Sequence, residues 1–135
     1  KRRGFVEGLK LRDVPQPESR VFTAAYGLEG GMRAAKEIIR SGIPFDGVVC
    51  GEDTTAIGVM KGLKKQGYRV PEDVAVTGCN NSPEAQLCEP ELTTLDNKPE
   101  LLGGMCARLL RDTIEKKASA VSVAIQPELV VRQST

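Results

Sequence analysis

Apolar residues recur along this chain with two periods, and the switches between them divide it into elements. Phe5, Val6 and Leu9 share one stripe of a helical projection over residues 2–11, as in the last turns of a helix. Pro15 and Pro17 then mark a loop. Val21, Phe22, Thr23 and Ala24 read as a short strand. Helical spacing returns over 29–41 with Met32, Ala35, Ile38 and Ile39, and Gly42 stands just past the end, where glycine commonly stops a helix. Pro44 opens a second strand over 45–50, apolar apart from Asp46 and Gly47. Runs of that kind suit a strand buried on both faces.

The alternation continues. Ile57, Met60 and Leu63 stripe a helix over 53–66, with Gly67 as its stop. Residues 70–73 form a loop and 74–78 a third strand. Ser82 is placed to cap a short helix over 83–87 that has proline at its first position. Pro90 closes that segment, and 93–97 is extended. A long amphipathic helix over 99–116 rests on Leu101, Leu102, Met105, Leu109, Leu110 and Ile114. The tail carries two strand-like segments, 121–125 and 128–131, parted by Gln126-Pro127, a break that suggests a crossing or a switch of strand. Strands and helices alternating through short loops predict an α/β fold, a parallel sheet with helices on both faces.

Composition narrows the chemistry. With 135 residues, 40% of them hydrophobic and 27% charged, the chain has the balance of an ordinary globular domain. A net charge of +1 gives no basic field for nucleic acid or anionic membrane. The run Lys1-Arg2-Arg3 reads as a solvated helix face. No stretch approaches the ~18 apolar residues of a membrane span. Cys50, Cys79, Cys88 and Cys106 form no CxxC pair, and there is no histidine, so no metal site or cofactor is expected and the thiols read as free. Lack of histidine also removes the usual general base and every Ser-His or Cys-His pair. Gly27-Leu28-Glu29-Gly30-Gly31 lacks the spacing of a dinucleotide-binding loop. The chain is read as a binding module rather than an enzyme.

In open α/β sheets ligands sit beyond the carboxyl ends of the strands. Here those ends are Ala25-Tyr26-Gly27, Cys50-Gly51-Glu52-Asp53 and Gly78-Cys79-Asn80-Asn81. Carboxylates and amides in such positions hydrogen-bond ligand hydroxyls in pairs. Asp53 is also favoured there by the helix dipole alone, and Asn80 and Asn81 by turn geometry.

The run Phe45-Asp46-Gly47-Val48-Val49-Cys50-Gly51-Glu52-Asp53, the segment Gly67-Tyr68-Arg69-Val70-Pro71-Glu72-Asp73-Val74-Ala75-Val76-Thr77-Gly78, then Pro90-Glu91-Leu92-Thr93-Thr94-Leu95 and the closing Pro127-Glu128-Leu129-Val130-Val131-Arg132-Gln133-Ser134-Thr135 follow one order and spacing. Together with the opening Arg3-Gly4-Phe5, they resemble the C-terminal portion of the effector-binding region of LacI/GalR-type transcription regulators. The resemblance implies a two-lobed, type I periplasmic-binding-protein-like sensor. A small effector (a sugar, nucleoside or related metabolite) binds between its lobes and changes the grip of an N-terminal helix-turn-helix on DNA, in the cytoplasm. It further implies that residues 1–97 form the C-terminal lobe without its first strand, that 98–120 pack in the other lobe, and that 121–135 return as tail strands. DNA would be met only through a head preceding Lys1.

By position, the resemblance makes Lys1, Tyr26, Glu52, Asn80 and Asn97 ligand-binding residues. Lys1 stands where Arg is usual, Tyr26 where Trp or Phe stacks on the ligand, Glu52 where sugar-binding members often have Asn, and Asn80 where Asp is common. Asn97 lies at the crossing between lobes. With these departures a simple hexose preference is not inherited from the resemblance, and a ligand bearing amine or nucleoside donors is compatible with them. The resemblance also places a homodimer or higher oligomer interface at Ile57, Met60, Leu87 and Cys88. The competing expectation is a periplasmic solute-binding protein of a sugar transporter, which shares the architecture. Without a neighbouring lobe, the helix over 99–116 is expected to swing away from the sheet or pack on another copy.

Overall fold

The computed structural model describes residues 1–14, 20–115 and 122–135. The loop expected at Pro15 and Pro17, the helix end at Lys116 and the strand start at Val121 lie outside the described residues. α1 spans Arg2–Lys10, α2 Leu28–Arg40, β1 Gly47–Val49, α3 Asp53–Lys65, β2 Ala75–Cys79, α4 Glu84–Leu87, β3 Thr93–Asp96, α5 Pro99–Ile114 and β4 Glu128–Val130.

Small side chains bring α2 and α3 together. A Cβ on Gly31 would stand 2.1 Å from the Thr55 carbonyl oxygen, and one on Gly58 2.2 Å from that of Leu28. Such positions admit glycine only, and the separation of packed helices follows the size of the side chains between them. Ala35, Ala56, Val59, Met60 and Leu63 complete the seam and are buried. Beneath it lie Val74, Val76 and Leu92, all 0% exposed, so α3 covers the face of β2 that carries Val76 and Gly78.

The sheet runs β1-β2-β3-β4. β1 and β2 are parallel, with Val48 opposite Val76, and β2 and β3 are parallel, with Thr77 opposite Thr93. β4 returns antiparallel to β3, Leu129 opposite Leu95, so the expected parallel sheet ends in one reversed strand. The α/β architecture is as expected.

Below the β2–β3 ladder the tail fills the gap between the two strands. Ser134 accepts the Val76 N–H on its carbonyl at 2.9 Å. Its hydroxyl donates to the Val76 carbonyl at 2.6 Å and accepts the Thr93 N–H at 2.8 Å. One fully buried serine thus satisfies groups that a strand would otherwise have to meet.

Four local expectations change. Residues 21–24 carry no ladder among the described residues. β1 is shorter than 45–50, and it is an edge rather than a strand buried on both faces, with Val49 61% exposed. Apolar sequence makes a strand only where a partner supplies its hydrogen bonds, and neither segment has a described neighbour on its outer side. Residues 122–125 likewise form no strand, and Val123 is exposed. Ser82 does not cap α4: Pro83 holds that position, and the Ser82 N–H is taken by Asp53. α1 and α5 form where their apolar spacing predicts, yet neither buries a residue.

Candidate functional site

The carboxyl ends of β1, β2 and β3 open on one edge of the sheet. At the end of β1, Lys1 Nζ donates to the Gly51 carbonyl at 2.6 Å. Glu52 is the N-cap of α3, one residue ahead of the expected start at Asp53, and its carboxylate turns back onto its own helix. Oε1 accepts the Thr54 N–H at 2.8 Å and Oε2 the Thr55 N–H at 2.8 Å, and the two hydroxyls donate as well. Desolvation alone would raise the Glu52 pKa. The bonds from Thr54 and Thr55 outweigh it and hold the carboxyl below its usual range. Thr55 Oγ1 also accepts the Gly27 N–H at 3.1 Å, which moors the loop bearing Tyr26 to the same helix end. Tyr26 is 88% exposed. Burial, with smaller contributions from Glu52 and Asp53, pushes the Cys50 thiol up to about 12, so Cys50 is a neutral packing group there.

At the ends of β2 and β3 two amides meet. Asn97 Nδ2 donates to Asn80 Oδ1 at 3.0 Å and to Cys79 Sγ at 3.3 Å. Among the described residues Asn80 Nδ2 and Asn97 Oδ1 have no partner, so this edge offers an amide NH2 and an amide oxygen. Asn80 and Asn81 have φ of 111° and 52°. Beneath them Asp53, 0% exposed, accepts the Thr94 hydroxyl at 2.6 Å on Oδ1 and the Ser82 N–H at 2.7 Å on Oδ2. Asp53 is therefore the buried pin between α3, β3 and the β2–α4 loop, a role its sequence context did not reveal.

Lys1, Tyr26, Glu52, Asn80 and Asn97 thus all lie along the strand-end edge. Tyr26 and the Asn80–Asn97 pair present unspent aromatic or polar surface and Lys1 Nζ keeps two of its three N–H groups, whereas the Glu52 oxygens are spent on capping. Asn81, read from sequence as a strand-end or turn residue, is joined next to this edge to Asp96 and Arg132, which were not singled out from sequence. The only hint there was an arginine inside a β-rich tail.

A second feature lies on the outer side of α3 and α4. A groove of about 630 Å³ is lined by Leu28, Thr54, Ile57, Met60, Leu87 and Cys88, among others. Leu87 is 84% exposed, whereas Ile57 and Met60 show only their edges. Lys64 Nζ donates to the Glu89 carbonyl at its rim. All four residues expected at an interface therefore border one groove. Among the described residues no group of His, Cys, Asp and Glu is arranged to hold a metal ion. No described helix is long and apolar enough to cross a membrane.

A family model described as a periplasmic binding protein-like domain matches residues 1–135. An HTH-type transcriptional repressor PurR from Photorhabdus laumondii is 33% identical over 97% of this chain and 39% of its own length. An HTH-type transcriptional regulator from Lachnoclostridium phytofermentans is 30% identical over 98% of the chain and 40% of its own. Among solved structures, a transcriptional regulator CelR–cellobiose complex superposes with a TM-score of 0.93 at 31% identity, covering 98% of this chain and 41% of that one. A LacI-type transcription regulator from Bifidobacterium animalis subsp. lactis gives 0.89 at 28% identity, over 97% and 48%. The chain spans about two fifths of the length of the curated relatives it matches. Those relatives are named as transcription regulators, not enzymes.

Proposed function

The chain belongs to the periplasmic binding protein-like domain family, and on that premise we propose that it is the C-terminal, effector-sensing lobe of a LacI/GalR-type transcription regulator. The observation that carries this reading is the strand-end edge where the Asn80 and Asn97 amides, 3.0 Å apart, leave an amide NH2 and an amide oxygen unpaired, on the same edge of the sheet that carries Lys1 at the end of β1. Such an edge suits one side of a small polar ligand held between two lobes. The effector closes the cleft by binding one arrangement of the lobes better than the other, and DNA is engaged by a helix-turn-helix head preceding Lys1, in the cytoplasm. Lys1, Tyr26, Asn80 and Asn97 meet the ligand. Glu52 shapes the site by holding the Tyr26 loop through Thr55. The groove at Ile57, Met60, Leu87 and Cys88 is the homodimer contact, where Leu87 of each copy inserts. The relatives' names favour a regulator over a transport protein.

Thermal unfolding against sugars, nucleosides and phosphorylated metabolites tests this. A ligand at ~100 times its dissociation constant adds about 2.7 kcal/mol of stability. The expected outcome is a shift with one compound class that is lost in Asn80→Ala. A shift that survives Asn80→Ala and Asn97→Ala unchanged would place the ligand elsewhere.

A further inference from the structure

We propose that Asn81 is a positioning residue, tying the loop that carries Asn80 to the segment by which the chain leaves the sheet for α5. Asn81 uses both ends of its amide. Nδ2 donates to Asp96 Oδ2 at 3.2 Å, and Oδ1 accepts from Arg132 Nη2 at 2.7 Å. Asp96 holds the Lys98 N–H on its other oxygen at 2.7 Å. The Arg132 side chain is 10% exposed, and its Nη1 donates to the Leu92 carbonyl at 2.8 Å. Glu128, opposite Asp96 in the ladder, pairs with Lys98 Nζ at 3.2 Å. One amide therefore joins three segments: the β2–α4 loop, the exit at 96–98 and the tail returning through 128–132.

Two features make this more than a surface contact. First, Asn80 has φ 111°, outside the small left-handed region that asparagine tolerates, so the surrounding bonds must hold it there, while Asn81 at φ 52° lies within that region. The loop is pinned residue by residue, Asn80 N–H to the Leu95 carbonyl, Asn81 N–H to Thr94 Oγ1, Ser82 N–H to Asp53. Second, α5 buries none of its residues, so its direction is set where it departs, at Lys98 with φ 50° and the Asp96 bond to the Lys98 N–H. With a carboxylate at 96 and a guanidinium at 132, the side chain at position 81 must donate on one side and accept on the other, which the two ends of an amide do. Resting on the effector-site reading above, the consequence is that a displacement of Asn80 reaches the exit through its immediate neighbour, along bonds that have a made and a broken state.

Residual dipolar couplings on this 135-residue chain, with no ligand added, test the proposal. In the unaltered chain α5 and α3 are expected to share one degree of order. Asn81→Asp keeps the Arg132 bond but sets two carboxylates against each other, and is expected to lower the order of α5 relative to α3 at least twofold. Arg132→Met is expected to act in the same direction. The combined variant Asn81→Asp with Asp96→Asn exchanges the two side chains, lets every donor meet an acceptor again, and restores the order of α5. Unchanged order in Asn81→Asp, or no restoration in the exchanged pair, overturns the proposal. If Asn81→Asp does not fold, the exchanged pair carries the test, and its failure to fold with an ordered α5 is equally fatal. Because no ligand is present, failure here leaves the effector-site reading standing, and an empty ligand screen leaves this one standing.

Discussion

Glu52 shows how a single side chain can be charged, partly exposed and yet unavailable. Its two oxygens take the hydroxyls of Thr54 and Thr55 and also their two backbone N–H groups, which are among the donors that a helix start leaves unpaired. Replacing such a cap by alanine costs roughly 1 kcal/mol, within a range of about 0.5–2. Glu52→Ala is expected to lose that amount in urea unfolding, with the Tyr26 loop loosened as well. The folded carboxyl titrates below its ordinary 4.5. Its stabilisation is therefore complete above that value and is lost as the pH falls through the lower folded pKa. Glu52→Gln should accordingly flatten the fall in stability below about pH 4.5, which unfolding curves from pH 6 to pH 3 would reveal. An equally steep fall in the variant would mean that other carboxylates carry the acid sensitivity.

At the scale of elements, the α2–α3 seam decides whether the layer above the sheet forms. A methyl at Gly58 would stand 2.2 Å from the Leu28 carbonyl oxygen and 3.0 Å from Gly31 Cα, and both are backbone atoms that cannot turn aside. Gly58→Ala gains helix propensity of about 1 kcal/mol. Overpacking of a tight core costs roughly 1–3 kcal/mol or more, and contact with rigid backbone places this site at the upper end. The net expectation is destabilisation by about 1–2 kcal/mol in chemical unfolding. Gly103→Ala, in α5 with nothing near its added methyl, is the control and should stabilise slightly. Destabilisation of equal size at both positions would show that the seam is not the cause.

The whole molecule exposes 9208 Å². A compact protein of this length exposes about 6,900 Å². Part of the difference is visible in α5, where Leu101, Leu102, Leu110 and Ile114 are all more than 45% exposed. Apolar surface left in water favours association or an altered packing of the helix that bears it. Solution scattering is expected to give a radius of gyration above the roughly 14 Å of a compact 135-residue globule, as an elongated monomer or an assembly. A compact monomer at that value would mean that α5 folds back onto the sheet.

The sequence by itself determined the helices, the centres of β2 and β3, the α/β class and the family, because periodicity and strand-end motifs are local records of which face is buried. α2 and α3 lie within a residue or two of the spans their apolar spacing predicts, and Gly42 and Gly67 adopt the positive φ their positions after those helices required. Tertiary structure alone decided where the sheet has an edge. Phe45 to Cys50 is as apolar as a central strand, but only a partner strand makes it one. It alone also decided what each polar side chain meets. Arg132 reaches Asn81 across 51 residues of sequence, and Ser134 reaches Val76 across 58. Neither pairing has a local signature, because a hydrogen bond depends on a few tenths of an ångström in space and on no spacing along the chain.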